Sequence, residues 1–530
     1  GCFESGNLAV AESENPISYT LYVDHDVNTT GYTQWFYFGI QGATAGLRVN
    51  FRIVNLKKAG SLFEEGMLPV VWSEASGRGW ERGGTDVRYC PTDRHRRKGD
   101  HTLSFSYAFE YDNDTVFFAY HYPYTYGYLQ SFLSALASHP YAGDFIRRDV
   151  LCETIGGVNC EMLKILSEKA SSPTPPGSRQ NSKTRCGDEE EQSVSRRVAV
   201  ITGRVHPGES NASWMVHGFL LFLCSPAPEA VALREAFDWI VIPMLNPDGV
   251  IQGNYRCGLA GVDLNRIYDS PSKKLHPEIY HLKQLLRDNP VELFIDFHGH
   301  SKKEGVFFYG GRSHDDQENA DIRLLPRMCA MASEDFNWRA CSFGVQQSKL
   351  STARLVSFLN LGIIKAYTVE ASFSCAPTQA DGEEAEIDEA NLSDDEDDEQ
   401  KLANIVAAIK VEAPQAASDG KFIPKYVSLA STCSLDFEEM MDFDLDSPKS
   451  MMESLGASFR RSRQAPTLKS VTEKDRMPKF GQDVDEDGII SEDHGGLVPE
   501  MVNSSNFNPA RLQLVGPTIG RSIFAAWQLE

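Results

Sequence analysis

At 530 residues with 41% apolar side chains, the chain is too long for one ordinary core and apolar enough for a folded protein. No run of about 18 apolar residues is present, which excludes a helical membrane span, and no basic stripe or Gly-rich phosphate loop points to nucleic acid or nucleotides. The net charge of −23 is concentrated: residues 381–400 carry twelve acids and no base, so about half of it says little about any site elsewhere.

Taken in chain order, the N-terminus (Gly1-Cys2-Phe3-Glu4) has neither an initiator Met nor a charged-then-apolar leader. Residues 1–140 read as an antiparallel β-sandwich, with aromatic and β-branched strands at 17–23, 33–39, 47–54, 102–107 and 114–120. Residues 141–530 read as an α/β/α domain built on a mixed sheet. Continuous apolar strands at 197–205, 238–245, 291–297 and 362–369 alternate with helices such as 213–224, and a last helix covers 510–529. Segments 171–195, 378–421 and 451–508 break the pattern and read as disordered insertions by composition. The eleven cysteines are scattered without a CxxC pair, as in a reduced, cytoplasmic protein.

Several polar groups fall at the ends of apolar strands, the edge at which open α/β sheets bind ligands. His206-Pro207-Gly208-Glu209 offers two metal donors three residues apart. A catalytic zinc takes three protein ligands and keeps one position open. An HxxE arises by chance about once in such a chain, so the motif needs company. Asp296-Phe297-His298 supplies a third donor, with His300 as the competing candidate and His298 preferred. Val262-Asp263-Leu264-Asn265-Arg266 sets an amide and a guanidinium side by side, a pair suited to holding a carboxylate. Thr368-Val369-Glu370 offers an acid for general-base work.

These residues resemble the zinc metallocarboxypeptidase family, in its cytosolic carboxypeptidase (deglutamylase) branch. The likeness rests on Phe3-Glu4-Ser5-Gly6-Asn7-Leu8, Gln34-Trp35-Phe36-Tyr37-Phe38, Tyr122-Pro123-Tyr124-Thr125-Tyr126 and His206-Pro207-Gly208-Glu209. It continues through Asn246-Pro247-Asp248-Gly249-Val250, Asn254-Tyr255-Arg256-Cys257, Val262 to Arg266, Asp296 to His300, and Glu370-Ala371-Ser372-Phe373. The resemblance implies one Zn²⁺ per chain on His206, Glu209 and His298. It makes Glu370 the general base and later proton donor, Arg256 the oxyanion stabiliser, and Asn265 and Arg266 the clamp on the substrate's terminal carboxylate. Asp263 then orients a ligand histidine. Arg354, with Lys349 as alternative, is placed in the specificity pocket as the cation for a glutamate side chain. The implied reaction is removal of C-terminal glutamates from acidic protein tails such as those of polyglutamylated tubulin, in the cytoplasm and beside the cytoskeleton, with no nucleic-acid or membrane partner.

Two departures stand out. The acidic segment follows Phe373, where the family's later segments belong. Pro207 and Gly208 stand between the first two ligands, where secreted relatives often carry an Arg. Asp483-x-Asp485-x-Asp487-Gly488 mimics the start of an EF-hand, but His494 stands where the loop needs a bidentate Glu, so a solvated acidic loop is the better reading. Two rival functions use the same motifs: a zinc deacylase of small N-acyl amino acids, and a non-catalytic scaffold for acidic tails.

Overall fold

The computed structural model describes residues 3–92, 99–166, 197–375 and 506–528. The expected insertions, the acidic run at 381–400 and the EF-hand-like stretch at 483–494 lie outside these residues, apart from 506–508.

Nine strands come first: β1 (Leu8–Asn15), β2 (Ser18–Val23), β3 (Tyr37–Gln41), β4 (Arg48–Leu56), β5 (Val70–Ser73), β6 (Glu81–Arg82), β7 (Thr85–Pro91), β8 (His101–Ala108) and β9 (Thr115–Ala119). They form a five-stranded sheet in the order β1-β2-β4-β8-β7 and a four-stranded sheet in the order β3-β9-β5-β6. Along β4, Val49, Phe51 and Ile53 turn inward while Arg48 and Arg52 face out, as a half-buried strand requires. Phe51 meets Phe38 and Phe118 of the other sheet, with ring centroids 5.9 and 5.3 Å apart, and such aromatic contacts fill the sandwich.

Two details depart from the sequence reading. Pairing is antiparallel except between β2 and β4, which run parallel because the chain crosses to the other sheet as β3 between them. The strand expected at 33–39 begins only at Tyr37. The Asn7 side chain takes up the Trp35 carbonyl at 2.7 Å and the Tyr37 amide at 3.1 Å, which satisfies the backbone there without a ladder.

The next elements are α1 (Tyr126–Ser138), β10 (Ile146–Glu153), β11 (Asn159–Ile165), β12 (Arg197–Gly203), α2 (Ser210–Leu223), α3 (Pro228–Ala236), β13 (Phe237–Ile242), α4 (Pro247–Gln252) and α5 (Pro277–Asp288). They are followed by β14 (Val291–His300), β15 (Val306–Tyr309), α6 (Asp316–Ala332), α7 (Ala353–Leu361), β16 (Lys365–Ser372) and α8 (Pro509–Trp527). The seven strands β10 to β16 form one mixed sheet in the order β10-β11-β13-β12-β14-β16-β15, with β13, β12, β14 and β16 parallel and the flanking strands antiparallel. Every residue from Val198 to Gly203 is buried, so both faces of the sheet are covered.

Gly362 is the left-handed cap of α7 (φ 72°), so the strand expected from that residue starts at Lys365 instead. Cys375 and Asn506 form an antiparallel bridge, so the chain leaves and rejoins the described fold at adjacent points. From there α8 packs tightly on α2. A Cβ on Gly218 would lie 1.9 Å from the Gln513 carbonyl, so only glycine permits this approach.

Candidate active site

β13 and β14 flank β12 on opposite sides, so a crevice opens at the carboxyl ends of the parallel strands. His206 to Glu209 form the turn from β12 into α2, and His298 lies near the end of β14. One donor atom from each of His206, Glu209 and His298 lies within 4.8 Å of the other two, and all three side chains are buried. The His206 Nδ1 and His298 Nδ1 atoms approach the two oxygens of Glu209 at 2.8 and 3.0 Å. The outer nitrogen of each imidazole faces an aspartate: His206 Nε2 lies 3.0 Å from Asp263 and His298 Nε2 lies 2.8 Å from Asp296. Carboxylates in that position fix the ring and keep Nδ1 turned inward. Burial alone would push the Glu209 carboxyl up, but the two imidazoles override it and hold the group well below the usual range. Two imidazoles and a carboxylate on one point, each held from behind, fit a zinc ion. His300 is turned away: its Nδ1 accepts from the Lys302 and Lys303 amides, and its ring packs on Phe307.

Glu370 on β16 stands in register with His298 on β14. Its Oε2 is buried without a hydrogen-bond partner among the described residues, and burial pushes its carboxyl up to about 7. A buried carboxylate oxygen left without a partner beside such a cluster marks a candidate functional group. Arg256 donates through Nε to Asp263 at 2.6 Å, and its Nη1 lies 4.0 Å from Glu209. Asn265 Oδ1 accepts from the Ala353 amide at 2.9 Å, at the start of α7, which leaves the amide nitrogen on the side of His298. Arg266 Nη1 donates to the Asn265 carbonyl at 2.8 Å. Arg354, one residue into α7, is buried, donates to the Gly310 carbonyl and lies over the Tyr309 ring. Lys349, half-buried, is close enough to Arg266 and Arg256 for their charges to reinforce the lowering that burial imposes on its ammonium.

Residues 130–349 match the zinc carboxypeptidase family, and residues 1–121 match the cytosolic carboxypeptidase N-terminal domain. The chain belongs to the zinc carboxypeptidase family, in its cytosolic branch. Cytosolic carboxypeptidase 2 of Danio rerio is 40% identical over 382 residues, which cover 70% of this chain and 50% of that protein. Cytosolic carboxypeptidase 4 of Mus musculus is 40% identical over 404 residues, covering 70% of this chain and 35% of the mouse protein. The chain thus spans half or less of the length of these curated relatives. Among solved structures, a metallo-carboxypeptidase from Burkholderia cenocepacia superposes with a TM-score of 0.56 at 24% identity, over 70% of this chain and 89% of that one, and so shares the fold. The family-model match ends at residue 349, before Arg354 and Glu370, which α7 and β16 carry.

Several residues of this candidate site went unread in the sequence. Asp296 was visible, since it alternates with His298 on one face of β14. Arg204 was not: fully buried with φ +60°, it donates to the Pro207 carbonyl at 2.7 Å and to Ser213 at 2.9 Å, and so braces the ligand turn from behind. Gly208 belongs to the same brace, for a Cβ there would lie 2.6 Å from the Tyr255 ring.

Asp26, in the loop after β2, was likewise unread. Its buried carboxylate accepts the backbone amides of Tyr255, Arg256 and Cys257 at 2.6, 2.7 and 2.8 Å. The β-sandwich thereby fixes the loop that presents Arg256. Asp26→Ala leaves three buried donors unpaired, each costing about 1–3 kcal/mol. We expect a stability loss of about 2 kcal/mol or more in urea unfolding, together with a fall in kcat that zinc content does not explain. An unchanged unfolding midpoint would show that water replaces the carboxylate at no cost.

Proposed function

We propose that this chain is a zinc-dependent carboxypeptidase that removes single glutamates from the C-terminus of acidic protein tails, such as polyglutamylated tubulin, in the cytoplasm. The observation that carries the reading is the grouping of His206, Glu209 and His298 beside Glu370, with Asn265 and Arg266 on the next loop. When bound by His206, Glu209 and His298, zinc supplies Lewis acidity to a water and to the scissile carbonyl. Glu370 takes a proton from the attacking water and later returns it to the leaving amine. Its raised carboxyl suits a group that must both accept and give a proton near neutral pH. Arg256 donates to the carbonyl oxygen as negative charge grows on it. Asn265 and Arg266 hold the terminal carboxylate, so only a chain end fits; a mid-chain peptide would leave that guanidinium without its anion.

Arg354 is the cation proposed for the glutamate side chain. It lies next to the Ala353 amide that holds Asn265, and its charge reaches Glu370. The test uses synthetic peptides ending in Glu or Leu, an N-acyl amino acid, and tubulin, read by mass spectrometry. Stepwise loss of terminal glutamates is the expected result. Internal cuts, a preference for Leu, or hydrolysis of the N-acyl amino acid alone would each remove the reading. Arg354→Ala should reduce kcat/KM for the Glu peptide by about tenfold to a hundredfold, since a charge-assisted hydrogen bond is worth about 1.5–3 kcal/mol. The Leu peptide should change little. Equal losses would take Arg354 out of the pocket.

A further inference from the structure

Two consecutive lysines follow β4. Lys57 turns to Asp100, with Nζ to Oδ1 at 2.5 Å, and is neutralised there. Lys58 turns the other way, out of the sandwich and into the crevice. Its ammonium donates to the Tyr255 hydroxyl and, at 2.8 Å, to Ser301 Oγ, and it lies 4.7 Å from the centre of the Tyr255 ring. Tyr255 precedes Arg256, and Ser301 follows the His298–His300 segment, so Lys58 sits against the same loops that carry the site. Its backbone is pinned on both sides: the Lys58 carbonyl accepts from the Tyr89 hydroxyl at 2.5 Å, and its amide donates to Gln34 Oε1 at 3.3 Å. The ammonium is therefore placed rather than trailing.

Among the described residues, both of its hydrogen-bond partners are neutral hydroxyls. An ammonium has three N–H donors, so one remains. The nearby charges are those of the site itself, Glu209, Arg256 and Glu370, and burial weakens the ammonium's hold on its proton. A half-buried cation with a spare donor and no carboxylate of its own calls for an anion from outside. The terminal carboxylate is not that anion, since Asn265 and Arg266 lie with Lys349 and α7, while Lys58 lies with Tyr255 and Ser301. The charge of Arg256 reaches both Lys58 and Lys349; with Arg256 at the scissile carbonyl, as proposed above, the Lys58 side is that of the residue preceding the cut bond.

We propose that Lys58, supplied by the β-sandwich, forms an anion-binding subsite for the penultimate residue of the substrate and makes this chain favour an acidic side chain there. The inference rests on the carboxypeptidase reading above. The test compares two peptides that differ only in ending Glu-Glu or Ala-Glu, with kcat/KM normalised to zinc content. Wild type should prefer Glu-Glu by about tenfold or more. Lys58→Met should lose most of that preference with little effect on the Ala-Glu peptide, and Lys58→Arg should keep part of it. Lys58→Gln is read in the same way where the Met variant does not fold. An indifferent wild type, or equal losses on both peptides, would overturn the subsite and leave Lys58 as a strut between the sandwich and Tyr255. A wild type that cleaves neither peptide would instead end the carboxypeptidase reading, and this inference with it.

Discussion

Replacing His206 or His298 with alanine is expected to abolish both bound zinc and peptide cleavage. The site offers two imidazoles and one carboxylate, and a catalytic zinc needs all three. Among the described residues no further imidazole is turned to the cluster: His300 is engaged by the Lys302 and Lys303 amides, and Asp263 and Asp296 face the outer nitrogens of the two rings. Removing either ring also strands an aspartate in a buried position, so some loss of stability should accompany the loss of metal. Zinc by atomic emission and turnover on a Glu-terminated peptide, measured on the same preparations, check this. Full zinc occupancy in His298→Ala together with zinc loss in His300→Ala would reassign the third ligand.

Glu370→Gln is expected to separate metal from chemistry. Glutamine keeps the volume and one acceptor but cannot take a proton, and positioned proton transfer is worth roughly 10²–10⁴-fold. Zinc should stay at wild-type occupancy and KM should move little, while kcat falls by that factor. The substitution costs the fold little, since Oε2 has no hydrogen-bond partner among the described residues. Near-normal turnover in the variant would mean that another group accepts the proton.

The site was legible in the sequence to the extent that its residues are local. His206 with Glu209, Asn265 with Arg266, and Glu370 at the end of an apolar strand each sit on a short motif. The strand pattern put His206, His298 and Glu370 at or near strand ends, where the sheet carries them, whereas Asn265 and Arg266 lie on a short turn between α4 and α5. Boundaries failed where a side chain or a cap overrode propensity, as at Asn7 beside Trp35 and at Gly362. What the sequence could not reveal was support from far along the chain. Asp26 and the Tyr255 amide are 229 positions apart, and Lys58 and Ser301 are 243 apart. No periodicity encodes such meetings, and a lone Asp in a loop or the second of two lysines reads as surface until the fold brings its partner to it.

The three amides gathered by Asp26 also constrain how a chain of this kind can diverge. A carboxylate that holds backbone groups fixes the course of the loop independently of its side chains, so the 253–261 segment is constrained in length as well as at Tyr255 and Arg256. Gly261 reinforces this, since a Cβ there would lie 2.5 Å from the Asn28 carbonyl. A hybrid that joins this β-sandwich to another catalytic half would mate only where both loops are inherited together. The two halves are separate in architecture, yet they recombine as a single unit.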